Sequence, residues 1–135
     1  MSNTAGVGSR REGRERALSL LYEADLKGET PAAVLADQPV TVEEFAADLV
    51  SGVGEHQAQS DALIRRFAKG WTLERMPMID LNVLRIASFE LAERPDVPVA
   101  VVLDEAVELV KRFSTDDSGR FVNGVLSALA GDLRT

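Results

Sequence analysis

An all-α fold is predicted by three observations. Apolar residues recur at intervals of three and four along most of the 135 residues, the spacing of one helix face. Alternating Val/Ile/Thr runs bounded by hairpin turns are nearly absent. Capping residues and prolines stand where helices would begin, and glycines stand where they would weaken or stop. Six or seven helices follow.

Residues 1–8 are small and polar and are expected to be disordered, leaving 9–135 as a single all-helical domain. A first helix is predicted from Ser9 to Lys27, with Ala17, Leu20, Leu21 and Ala24 as its apolar stripe and Gly28 as its stop. A short helical turn follows at 31–36. Thr41-Val42-Glu43-Glu44 has capping-box spacing and opens a helix through Phe45, Leu49, Val50 and Val53. Another runs from about Glu55 to Lys69. Gly70-Trp71-Thr72 is the clearest internal boundary, dividing the chain into portions of about 9–69 and 73–135. Pro77 seats a long helix ending near Arg94, and Pro98 seats the next, with Val99, Val102, Leu103, Ala106, Val110 and Phe113 on its inner face. Ser114-x-x-Asp117 is a second capping box, opening a last helix that turns Val122, Val125, Leu126, Leu129 and Leu133 inward.

Composition excludes several classes of function. There is no cysteine and only one histidine, His56, so disulfides, thiolate metal sites and cysteine nucleophiles are ruled out. No phosphate loop, HExxH or GxSxG motif occurs, and no cofactor is called for. No apolar run spans a bilayer, and the first residues carry no secretory h-region. A non-enzymatic cytoplasmic protein is the expectation. The net charge is −7, which argues against blanket attraction to nucleic acid. The first sixteen residues nevertheless hold four arginines and two glutamates.

Three places stand out. With Ala17 at 0° on a helical wheel, Arg10, Arg14 and Arg11 fall at about 20°, 60° and 120°, while Glu15 and Glu12 turn away. The arginines therefore extend the apolar stripe outward, although positive charge at a helix start opposes the macrodipole. Guanidinium forks suit phosphate, which points to nucleic acid. At the other end, Phe121 sits on the shoulder of the last helix beside Arg120. The pair could hold an unstacked base, although spacing alone favours an inward-packed phenylalanine. In the long helix, Asp80 and Glu90 lie within the apolar arc. Each must be paired or exposed. Asp80 suits a helix start or a basic partner, and Glu90 is expected to bridge to Arg94.

Four segments together resemble the NusB family of transcription antitermination factors, with an actinobacterial flavour in GWTLERMP. They are RREGRERALSLLY, DLNVLRIASFEL, DVPVAVVLDEAVELVKRF and DDSGRFVNGVL. The last two in series are highly specific. The resemblance covers Arg10 to Leu129 and implies two three-helix bundles sharing a core. It implies binding to boxA RNA of ribosomal RNA leader transcripts, together with a small-subunit ribosomal protein acting as NusE, in an antitermination complex on RNA polymerase. RNA contacts carried over fall on Arg10, Arg11, Arg14, Asp117, Arg120 and Phe121. Contacts to the protein partner fall on Tyr22, Glu74 and Asp80. Some family members are homodimers, so monomer and homodimer both stay open. Two departures are Glu12, which interrupts an arginine run, and Gly13, which lowers helicity there. A protein-only adaptor or dimeric scaffold is the alternative. A ribosomal RNA cytosine methyltransferase, whose RNA-binding part is similar, is disfavoured by the lack of cysteine.

Overall fold

The structure is a computed structural model and describes residues 7–134. Among these residues there are seven α-helices, one 3-10 turn and no strands. The helices are α1 (Val7–Lys27), α2 (Pro31–Ala36), α3 (Glu44–Glu55), α4 (Gln57–Phe67), α5 (Met78–Glu93), α6 (Val99–Phe113) and α7 (Asp116–Leu133). The 3-10 turn is Leu73–Arg75, between α4 and α5. Of the expected disorder over 1–8, residues 1–6 lie outside the described residues. Residues 7 and 8 belong to α1, so Ser9 is inside the helix rather than its cap.

Local chemistry sets the boundaries. Gly28, at φ 66°, ends α1 in the left-handed conformation that a side chain would resist. Thr30 caps α2 by accepting from the Ala33 amide, with Pro31 in the first turn. Two caps differ from the sequence reading. The start of α3 is capped by Glu43, whose carboxylate accepts from the Phe45 and Ala46 amides, and not by Thr41. The start of α7 is capped by Thr115, which accepts from the Ser118 amide, and not by Ser114. In both cases an oxygen closer to the helix reached the orphan amides first. His56 breaks α3 from α4. It is half-buried, with Nδ1 3.0 Å from the Gly52 carbonyl and its ring against Phe89.

Helices α1, α2 and α3 pack on one another, as do α5, α6 and α7, and the two groups share one continuous core. Helix α5 is the hub, touching α1, α3, α4, α6 and α7. From Asp80 to Leu91 every residue but Leu81 is buried, as expected for a helix enclosed on all sides. Most of its polar side chains are matched from the surrounding helices, the exceptions being Ser88 Oγ and Asp80 Oδ1, which are buried without a hydrogen-bond partner among the described residues. Arg85 forks onto Asp61 of α4 at 2.8 and 3.0 Å, and Asn82 donates to Asp25 of α1. Helix α4 consequently leans on α5 and α7 as well as on α3. The far end of α5 is closed by Arg134, whose guanidinium donates to the carbonyls of Glu90, Leu91, Arg94 and Val97. Phe113, expected inside, is 46% exposed, because α6 runs past the core before α7 turns back.

Candidate nucleic-acid interface

The arginine end of α1 divides into surface and interior. Arg10 is exposed, with its guanidinium 5.4 Å from the centre of the Phe45 ring, within cation–π range. Gly13 permits this arrangement: a Cβ there would lie 2.6 Å from Phe45 Cδ2. The helix is continuous through Gly13, and the glycine serves packing. Arg11 is about half exposed and holds the Glu105 carboxylate of α6 side-on. Its Nε donates at 3.1 and 3.2 Å and its Nη2 at 2.6 Å.

Arg14 is not at the surface. Its side chain is 4% exposed and donates to Glu90 through Nε at 2.8 Å and Nη2 at 2.7 Å. Two expectations are corrected by this one pair. Arg14 is not presented to RNA, because its face of α1 is covered by α5. Glu90 is bridged to Arg14 rather than to Arg94, which forks onto Asp48 of α3 instead. Arg14 Nη1 also lies 3.9 Å from Glu105. The four groups form an alternating series from interior to surface: Glu90, Arg14, Glu105, Arg11. Hydrogen bonds from Arg11 hold the Glu105 carboxyl below its ordinary range, against the opposing effect of burial.

The other half of the site lies at the start of α7. Arg120 is exposed and pairs with Asp117 at 2.7 Å, both side chains being more than four-fifths exposed. Such a pair contributes little and opens readily. Phe121 is half-buried. It does not simply join the core, because its ring meets Trp71 at 5.5 Å with a 53° tilt. Trp71 is 48% exposed. The two rings border a small cleft of about 150 Å³ whose walls include Pro77, Asp80 and Ser118.

Helix α6 connects the two halves. Glu108 adds to the field at Arg11, and it lines a surface depression with Lys111, Gly119, Arg120 and Asn123. Gly119 is seated against Lys111, where a Cβ would stand 3.3 Å from the lysine side chain. The α1 and α7 portions thus flank one helix. The surface between them is a mosaic, in which Asp104, Glu105, Glu108, Asp116 and Asp117 alternate with the cations. Trp71 and Lys111 were missed as site candidates. Gly70-Trp71 read as a boundary, and its signal was a solitary tryptophan beside a helix stop.

The residues assigned to a protein partner separate as well. Tyr22 is half-buried in a groove of about 490 Å³ bordered by Leu18, Ile79, Phe113 and Glu15. Glu74 is exposed on the 3-10 turn. Asp80 is 3% exposed and accepts from Ser118 Oγ at 2.7 Å. It borders the Trp71–Phe121 cleft rather than the Tyr22 groove, and its Oδ1 has no hydrogen-bond partner among the described residues. No helix among the described residues is long and apolar enough to cross a membrane.

The fold and these surfaces define the class: an all-helical protein with an arginine-bearing first helix, a part-exposed aromatic pair and a separate apolar groove. Comparisons with known proteins identify the family. The NusB family profile matches residues 11–131, and the chain belongs to the NusB family. The transcription antitermination protein NusB of Saccharopolyspora erythraea is 50% identical over 132 residues, covering 93% of this chain and 88% of the relative. That of Acidothermus cellulolyticus is 47% identical over 131 residues, covering 94% and 90%. Among solved structures, T. maritima NusB superposes with a TM-score of 0.84 at 32% identity, covering 93% of each chain. A crystal structure of antitermination factors NusB and NusE in complex with dsRNA superposes at 0.79 and 28% identity, covering 94% of this chain and 99% of that one.

Proposed function

We propose that this protein is a non-catalytic, RNA-binding transcription antitermination factor of the cytoplasm. It binds boxA RNA of ribosomal RNA leader transcripts with a small-subunit ribosomal protein in the NusE role, on RNA polymerase. The observation that carries the reading is the tilted contact of two part-exposed rings, Trp71 and Phe121, in a chain whose first helix exposes Arg10 and Arg11. Aromatic faces stack unpaired bases, while guanidinium groups take the phosphates between them. Arg10, Arg11, Lys111 and Arg120 are the phosphate-binding groups in this proposal, and Asp117 is the carboxylate that tethers Arg120. The Tyr22 groove, with its apolar wall and its Glu12 and Glu15 rim, suits a basic protein carrying an apolar anchor. The relatives' naming as antitermination proteins, and the solved assembly of NusB and NusE with dsRNA, support the same assignment.

Fluorescence anisotropy with a labelled boxA RNA, with and without the ribosomal protein, tests the reading. Sequence-selective binding that the protein partner strengthens is the expected result; equal weak binding to any RNA would refute it. A protein-only adaptor is the second reading. The observation that favours it is the engagement of Arg11, Arg14 and Arg120 by Glu105, Glu90 and Asp117. Nuclease treatment before a pull-down separates the two: an adaptor keeps its partners and shows no bound RNA beforehand.

A further inference from the structure

Arg11 is one of the cations that α1 exposes, and it already carries an anion. The Glu105 carboxylate occupies the edge formed by Nε and Nη2, with three donor–acceptor distances of 3.1, 3.2 and 2.6 Å. That edge is one of the two on a guanidinium that can grip an anion with two parallel N–H groups. The Glu105 side chain is 8% exposed, whereas Arg11 is 47% exposed. The carboxylate is therefore fixed by the packing of α6, and the arginine is the member free to move.

A fixed internal carboxylate on a mobile binding arginine competes with any incoming anion. The competition is reversible only if the carboxylate is not stranded when the arginine leaves, since an unpaired buried charge is strongly unfavourable. The interior neighbour meets this condition. Arg14 Nη1 lies 3.9 Å from Glu105 Oε1, while the same guanidinium is anchored to Glu90 through its other nitrogens. Arg14 is a standing second partner for Glu105. Helix α1 thus supplies two arginines, one turn apart, to the same carboxylate.

We propose that Glu105 is a built-in competitor for RNA phosphate at Arg11, with Arg14 as the residue that receives Glu105 when Arg11 changes partner. The proposal rests on the RNA-binding reading above and adds a determinant of affinity that does not touch RNA. Glu105 lowers the affinity of this surface for polyanions and makes occupation of Arg11 conditional on a phosphate strong enough to displace a carboxylate. It also gives the buried Arg14 a role in binding without contact.

The test uses the full chain and a fluorescein-labelled single-stranded boxA RNA, at fixed low salt. Glu105→Gln is expected to tighten binding about fivefold, the effect of removing one partly exposed ion pair from the competition. Glu108→Gln removes the same unit of charge from α6 and leaves the Arg11–Glu105 pair in place. It is expected to tighten binding by about twofold or less, the effect of charge alone. In an Arg11→Ala background the Glu105→Gln gain should fall to that of Glu108→Gln. Glu105→Gln binding no tighter than the parent overturns the proposal, as does a gain that persists without Arg11. If Glu105→Gln does not fold, Glu105→Asp, which withdraws the carboxylate by one methylene, should tighten binding; unchanged or weaker binding then overturns the proposal. A parent chain that binds no RNA refutes the RNA reading itself, and this proposal with it. A parent that binds while Glu105→Gln shows no gain refutes the competitor alone.

Discussion

The Arg14 guanidinium and the Glu90 carboxylate, 76 residues apart in sequence, share two hydrogen bonds of 2.8 and 2.7 Å where α1 crosses α5, with side-chain exposures of 4% and 2%. Neither group can lose the other cheaply. Arg14→Ala or Glu90→Gln strands its partner, and each should destabilise the fold by about 3–5 kcal/mol. Arg14→Glu sets two carboxylates face to face and should be worse still. Replacing both residues together, as Arg14→Met with Glu90→Leu, should recover most of the loss, because well-packed apolar groups substitute for a buried pair at little net change. Urea denaturation of the four variants measures this. Single variants within about 0.5 kcal/mol of the parent, the range of ordinary surface changes, would contradict the assignment.

That pair also shows how far the sequence could be read. Each half was visible: Arg14 continued the apolar stripe of α1, and Glu90 sat within the apolar arc of α5 and needed a cation. Local spacing offered Arg94 as that cation, four residues on, whereas the partner came from a distant helix. Periodicity reports which face is inward and is silent on which inward groups meet. The order and extent of the helices were legible because Gly28, Pro31, Pro77 and Pro98 mark them by local chemistry. Asp80 stands in the first turn of α5, as its helix-start reading has it, but its burial was not legible. Its neighbour Ser118 lies on α7, 38 residues away. Trp71 escaped notice because it follows a helix stop, outside any periodic stripe, and gains meaning only beside Phe121.

Gly52 should tolerate no side chain. A Cβ there would stand 2.1 Å from Cζ of Phe89 and within 2.6 Å of two further ring atoms. The ring fills the space over α3 and is itself buried. Gly52→Ala gains helix propensity of about 1 kcal/mol, but overpacking of about 1–3 kcal/mol or more should outweigh it. Phe89→Leu in the same chain should relieve part of the clash, so the double variant should be less destabilised than the sum of the singles. Thermal melts of the three proteins check the sign, and simple additivity would show that the ring is not the obstacle.

Salt dependence should separate the surface arginines from the buried one. With Arg10, Arg11, Lys111 and Arg120 each meeting one phosphate, log Kd should change with log salt with a slope magnitude near 2.8, at about 0.7 per contact for single-stranded RNA. Arg10→Ala should reduce that magnitude by about 0.7 and leave stability within about 0.5 kcal/mol. Arg14→Met paired with Glu90→Leu, which keeps the fold, should leave the slope near its parent value. A slope that falls in the paired variant and not in Arg10→Ala would reverse the two roles.

Acid should expose the contribution of Glu105 to stability. Its folded-state carboxyl is held below the ordinary value near 4.5, chiefly by hydrogen bonds from Arg11. A depressed carboxyl binds its proton more weakly in the folded chain than in the unfolded one. Its stabilisation is therefore complete above the unfolded value and is lost as the pH falls through the folded one. The melting temperature of the parent should exceed that of Glu105→Gln at pH 7, and the gap should narrow below about pH 4.5. A gap that stays constant down to pH 3 would place the effect in shape rather than charge.

Trp71 and Phe121 should act as a pair on RNA and unequally on the fold. Trp71 is the only tryptophan in the chain and is half exposed, so its emission reports directly on anything that stacks against it. Binding of boxA RNA should quench that emission with the same midpoint as an anisotropy titration. Trp71→Ala should weaken RNA binding by about 1–3 kcal/mol, the usual worth of one stacked base. Its stability should change little, because half of the ring is already in water. Phe121 also contributes to the core, so Phe121→Ala would mix two effects. Phe121→Leu keeps apolar volume and removes the ring face, with a stability loss of less than about 1.5 kcal/mol expected of a near-isosteric swap. Its RNA affinity should fall as far as that of Trp71→Ala. Quenching without an affinity change in either variant would mean that RNA passes near the rings without using them. The phosphate contacts across α6 would then have to account for binding alone.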